Sequence, residues 1–182
     1  MLKIKVFQIV FVYDKEWRNM KGQEEKFTFR MAVEEDWEPA MKLAWETFLI
    51  FEAQEYSEEG IESFRDFISD QWLKNMFLKG EYQMFTAHEK DKLIGFISVR
   101  NRNHISLLFV DKAYHRKGIG RKLIEKMGEY LITEVGVDYM TVDSAPYATE
   151  FYHKLGFWDL APRQEKKGII FTSMKKNLKY SW

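Results

Sequence analysis

The sequence predicts an α/β fold of the α+β kind: a mixed, mainly antiparallel central sheet flanked by helices. Three observations predict it. "EYQMFTAHE" and "KLIGFISVRN" alternate as strands do, and "EKD" between them is a short hairpin connection. From Glu34 to Leu78, apolar residues recur at spacings of three and four, the period of helices with one packed face. The second half then reads strand, helix, strand, helix, strand, and joining that series to the hairpin gives a mixed sheet.

The elements follow in order. Residues 1–26 end in the polar "RNMKGQEEK", which reads as a linker, so they form an N-terminal extension to which no role is assigned. The alternating "KFTFRMAV" is the first strand of a single domain spanning residues 27–182. Trp37, Met41, Trp45 and Phe48, then Phe64, Phe67, Ile68 and Trp72, mark two helices, with Gly60 and "YSEEGIE" dividing them. After the hairpin, "HISLLFV" is more apolar and therefore more central. Its helix carries Ile119, Leu123, Met127 and Leu131 on one face and Gly136 as C-cap. "VDYMTV" is the next strand, "PYATEFYHKLGF" a short helix closed by Gly156, and "GIIFTSMKK" the last strand.

Composition narrows the function. The chain of 182 residues is 46% hydrophobic, enough for one sizeable core. Basic and acidic residues both number 28, so net charge supports neither a nucleic-acid partner nor a membrane surface. The absence of Cys rules out disulfides, thiolate metal sites and a cysteine nucleophile, and fits a reducing cytoplasm. The four His show no paired metal spacing, so no metal is expected. The N-terminal "MLKIKVFQIVFVYDKEW" lacks a small-residue cleavage site, and no apolar run approaches the ~20 residues of a membrane helix.

The chemistry-bearing stretch is "FVDKAYHRKGIGRKLIEKM". A strand that runs into a helix through "HRKGIGRK" leaves bare N–H groups at the helix start, and glycines let an anion approach them. The helix dipole and Arg116, Lys117, Arg121 and Lys122 favour phosphate. A P-loop would need Gly-x-x-x-x-Gly-Lys-Ser/Thr, and a dinucleotide fingerprint would need a glycine where Leu123 stands. Neither is present.

"VDKAYHRKGIGRKLI" resembles the acyl-CoA pyrophosphate loop of the GNAT superfamily of N-acetyltransferases, and "PYATEFYHKLGF" resembles that superfamily's later Asn-x-x-Ala-x-x-(Phe/Leu)-Tyr-x-Lys-x-Gly-Phe segment. One helix and one strand separate the two, as in the family. The resemblance covers Phe27 to Met174, and "NHISLLFVDKAYHRKG" looks like a bacterial subgroup of uncharacterised members. It implies a GNAT-like sheet with splayed central strands, acetyl-CoA as acyl donor, an amine as acceptor, and direct transfer in a ternary complex. The pyrophosphate would lie on His115, Arg116, Lys117, Gly118, Ile119, Gly120 and Arg121, and the pantetheine arm along Leu108, Phe109 and Val110. Two departures stand out: His115 replaces the usual Arg or Gln, and Ala145 replaces Asn, leaving Asp143 or Ser144 to supply that hydrogen bond. Tyr147 completes the implied cofactor contacts. Tyr152 matches the tyrosine that protonates the leaving thiolate. His104, six residues before Val110, stands where some histone-modifying members carry a Glu base; strand alternation gives it the face of Val110 unless a bulge breaks the parity.

The acceptor is a primary amine. Glu52, Glu55, Glu58, Glu59, Glu62, Asp66 and Asp70, interleaved with aromatics, would make an acidic wall that attracts a cationic one. The alternative from another class is a non-catalytic acyl-CoA-binding or sensing module, for which Ala145 speaks and against which Tyr152 speaks. Homodimerisation stays open.

Overall fold

A computed structural model of the chain describes residues 26–166 and 168–178. The expected extension, residues 1–26, lies outside them apart from Lys26. Strand β1 (Thr28–Met31) leads to helices α1 (Trp37–Phe51), α2 (Glu58–Ser69) and α3 (Gln71–Leu78). Then come β2 (Gln83–Glu89), β3 (Lys92–Arg100), β4 (His104–Val110) and α4 (Ile119–Tyr130). Finally come β5 (Tyr139–Ser144), α5 (Thr149–Lys154), β6 (Trp158–Asp159), β7 (Gln164–Lys166) and β8 (Ile169–Asn177).

The strands lie in the order β1-β2-β3-β4-β5-β8-β6, with β7 paired to β8, and only the β4–β5 pair is parallel. The mixed, mainly antiparallel fold class is thus realised. α4 presents Ile119, Leu123, Ile124 and Met127 to one face of the sheet. On the other face, α1 contributes Trp37, Ala40, Met41, Ala44 and Phe48. Burying such side chains yields about 25 cal/mol per Å² of apolar surface, which makes the two layers the main source of stability.

The division of the helical stretch differs from expectation. The break falls at residues 52–57, before Gly60, and a second one falls at Asp70, whose carboxylate accepts from the Trp72 N–H and starts α3. Gly60 lies inside α2, where a Cβ would meet the Gly168 carbonyl oxygen at 2.5 Å. It is a packing glycine. The short strands β6 and β7 have no periodicity to announce them; they exist because β8 offers edges to pair with.

Two irregularities of β4 shape everything that follows. Ser98 pairs with Leu107 but Val99 with Ile105, so Ser106 is an extra, bulged residue. Pairing with β5 is confined to His104–Thr141 and Ile105–Val142, beyond which the two strands part. The splayed central strands implied by the resemblance are present.

Candidate active site

A cavity of about 640 Å³ fills the opening between the parted strands. Ser106, Leu107, Leu108 and Phe109 of β4 form one wall, and Asp143, Ser144 and Ala145 the other. The α1–α2 layer roofs it with Glu52, Tyr56, Phe64 and Phe67. Backbone groups of β4 beyond Ile105 have no β5 partner, so an extended ligand can add itself there as a strand would.

Past Val110, where β4 ends, the chain enters the glycine loop, and residues 115–121 do not themselves line the cavity. Gly118 caps α4 at φ 81°, and Arg116 also adopts a left-handed conformation, at φ 61°. The helix proper opens with the Lys122 N–H on the Gly118 carbonyl at 3.0 Å, and the N–H groups of Gly118, Ile119, Gly120 and Arg121 find no backbone acceptor among the described residues. Arg116, Lys117 and Arg121 are exposed around them, and Lys117 also stands 4.7 Å from the Tyr114 ring centre. Gly118 has open space where a side chain would be, as close anion approach needs. A Cβ on Gly120 would instead lie 3.0 Å from the Phe151 ring, so Gly120 serves the packing of α4 on α5. Ile119 is buried in the core.

The loop is tied down by His115. One ring nitrogen donates to the Val110 carbonyl at 2.8 Å, and the ring stacks on Phe51 at 5.1 Å. Tyr147 stacks on Phe51 as well, at 4.9 Å. The last turn of α1 therefore bridges the two sequence motifs, a contact that neither motif announces. Ser144 is buried, with its hydroxyl donating to the Ala145 carbonyl at 3.0 Å, so its polar group is engaged within the protein.

Tyr152 lies only 5% exposed between Phe151 and Phe157 and reaches the cavity, with no hydrogen-bond partner among the described residues. Burial raises its phenol pKa, and the Glu52 carboxylate adds to the rise. The hydroxyl is therefore held in its protonated form at neutral pH. Glu52 ends α1, next to Phe51. Burial, reinforced by Glu55, lifts its carboxyl to about 7, and the Tyr56 hydroxyl offsets part of that lift. Of the seven acidic residues expected to form a wall, Glu52 alone lines the cavity; the other six are exposed. A charge periodicity could not separate it from them, because the distinction is its contact with the roof of the sheet.

His104 lines the cavity at the other end of β4. The expected parity with Val110 is overturned: the bulge at Ser106 reverses it. Ile105 packs into the α4 layer while Leu107 and Phe109 pack into the α1 layer, so His104 lies on the face opposite Val110. It meets Thr141 at 2.9 Å and stands 3.8 Å from Asp143. Burial depresses its pKa, with Arg100 adding to the effect and Asp143 opposing it. The neutral imidazole is thereby favoured.

Among the described residues, no group of three or more His, Cys, Asp or Glu is arranged to hold a metal ion, and no helix is long and apolar enough to cross a membrane.

A wedge between parted strands, a donor-lined helix start and a buried tyrosine define an acyltransferase site of the GNAT type. The profile of the Acetyltransferase (GNAT) domain matches residues 52–178, and the chain belongs to that family; it is an N-acetyltransferase. It is 27% identical over 122 residues to the uncharacterised N-acetyltransferase YafP of Escherichia coli (strain K12), covering 66% of this chain and 75% of that one. A GCN5-related N-acetyltransferase from Rhodopseudomonas palustris superposes with a TM-score of 0.70 at 26% identity, over 83% of this chain and 95% of its own. PaiA N-acetyltransferase from Thermoplasma acidophilum, solved in complex with coenzyme A, gives 0.68 at 25% identity, over 83% and 98%.

Proposed function

We propose that the protein transfers the acetyl group of acetyl-CoA to a primary amine by direct attack in a ternary complex. The observation that carries this reading is the juxtaposition, in one cavity, of the unpaired β4 edge, Tyr152 and two groups able to take a proton. In the transfer, the neutral amine attacks the thioester carbonyl. A C–N bond forms and the C–S bond breaks; the base takes one proton from the attacking nitrogen, the thiolate gains one, and the products are the amide and CoA thiol. An N–H of Leu108, Phe109 or Val110 faces the developing oxyanion, a contact worth ~3 kcal/mol at the transition state. Tyr152 protonates the departing thiolate. The pyrophosphate binds the bare N–H groups from Gly118 to Arg121, with Arg116 and Arg121 supplying charge.

An ammonium of pKa near 10.4 must lose its proton first. His104 fills that role in the first reading, as a neutral imidazole facing the cavity. A second reading assigns it to Glu52, favoured by a carboxyl lifted to about 7 and by its electrostatic contact with Tyr152. Both bases lose activity as pH falls, but at different pH.

The test is thiol release from acetyl-CoA with a panel of amines, run beside calorimetry of acetyl-CoA binding. Amine-dependent release supports transfer. Tight binding without release from any amine would make the protein an acyl-CoA-binding module.

A further inference from the structure

The cavity holds charges that acetyl transfer alone does not use. Arg100, the last residue of β3, pairs across the ladder with His104 and lines the cavity, its guanidinium 5.9 Å from the Phe67 ring centre. Among the described residues, Arg100 has no carboxylate within ion-pair distance. Asp143, the nearby acid, is engaged: it accepts from the Ser173 hydroxyl at 2.7 Å and stands 3.8 Å from His104. The Ser106 hydroxyl, buried on the bulge in the cavity wall, has no hydrogen-bond partner among the described residues. An unneutralised guanidinium and an unsatisfied hydroxyl form a receptor for an anionic group.

This receptor is separated from the reaction centre. Glu52 follows Phe51, which stacks on His115, and His115 is bonded to Val110, so Glu52 stands over the far end of β4. His104, opposite Arg100, begins that strand. The four residue steps from His104 to Leu108 span about 13 Å of backbone, shortened by the inward reach of the side chains. Phe64, Phe67, Phe109 and Phe171 line the path between the two ends.

We infer that the acceptor, given the transfer reading above with Glu52 as the base, is a dipolar amine: a primary amino group at the Glu52–Tyr152 end, an apolar spacer over the phenylalanines, and an anionic group held by Arg100 with Ser106. A polycation is a poor fit, since its second charge meets Arg100. All but Glu52 of the acidic residues expected to attract one lie outside the cavity.

The experiment compares three series of equal lengths: ω-amino carboxylates, n-alkylamines and α,ω-diamines. The wild-type protein should favour the carboxylates over the alkylamines by roughly ten- to a hundredfold in kcat/KM, with diamines last, and longer carboxylates should surpass glycine. Arg100→Ala should erase the preference, and Arg100→Glu should reverse it toward diamines. Arg100 is exposed at a strand end, so both variants should fold. Binding of the same compounds to the CoA-loaded protein, read by calorimetry, should follow the same ranking without turnover. Diamines or alkylamines equal to or better than the carboxylates, or a ranking unmoved by Arg100→Glu, would overturn the inference. A carboxylate preference in binding with no thiol release would leave it standing while the transfer reading fails.

Discussion

The cofactor and acceptor parts of the site are built in different ways. The first offers backbone: the start of α4, a left-handed Gly118 and the unpaired edge of β4. The second offers side chains brought from distant parts of the chain, Glu52 and Tyr152 toward the loop and Arg100 and His104 at the opposite end of β4. A backbone site depends on conformation and tolerates side-chain change, which is why His115 can stand where Arg or Gln is usual and serve as a tether. A side-chain site depends on identity, so single substitutions there should alter chemistry and leave cofactor affinity alone.

The largest effect should come from Tyr152→Phe, which removes the proton donor and keeps the ring packed between Phe151 and Phe157. We expect kcat to fall roughly 100-fold or more with acetyl-CoA affinity unchanged in calorimetry. Equal losses of both would mean that the two parts are not separable.

Next in size is the pH profile of kcat/KM. If Glu52 is the base, its acidic limb lies near pH 7, because activity needs the carboxylate and is lost as pH falls through about 7. If His104 is the base, the limb lies below the ordinary histidine range, because burial lowers its pKa. Glu52→Gln and His104→Ala assign the limb, with a loss of roughly tenfold or more at neutral pH in the true base variant.

Gly118→Val sharpens the contrast from the backbone side. A β-branched residue at φ 81° is strained by about 1–2 kcal/mol even with open space around it, so acetyl-CoA should bind roughly tenfold more weakly while the core is untouched. Gly120→Val should do the opposite in kind, lowering Tm through its contact with Phe151. Affinity unchanged in a folded Gly118→Val protein would remove the loop from the binding site.

The smallest effect concerns stability. Glu52 has its pKa raised in the fold, so its neutral form stabilises the protein below the ordinary carboxylate range near 4.3, and that contribution is lost as pH rises through about 7. Glu52→Gln should therefore raise Tm by about 2–4 °C at pH 8, for a gain on the order of 1 kcal/mol, and change it little at pH 4. An equal change at both values would mean that Glu52 is not buried as an acid.

The same contrast explains what the chain discloses before it folds. The cofactor end is local in sequence: strand, glycine turn and helix are contiguous, and "PYATEFYHKLGF" carries its own spacing, so Gly118, Arg121 and Tyr152 are legible. The acceptor end is assembled by topology. Arg100 enters through a hairpin register, His104 through a parallel pair with β5, and Glu52 through the packing of α1 on the sheet. The reversal of His104 relative to Val110 hangs on one bulged residue, Ser106, which no alternation pattern signals. Gly60 and Gly120 read as turn or ligand glycines, and only the neighbouring Gly168 carbonyl and Phe151 ring reveal them as packing sites.

The central claim is that acetyl passes straight from the thioester on the β4 edge to the amine held beside it. Rapid-quench mixing with acetyl-labelled acetyl-CoA tests it most directly, because the label can be followed in protein, thioester and amide separately. The predicted result is that CoA thiol and labelled amide appear together at one rate, only when amine is present, with no label retained by the protein. Thiol released in a burst before the amide, with label held covalently by the protein, would contradict it.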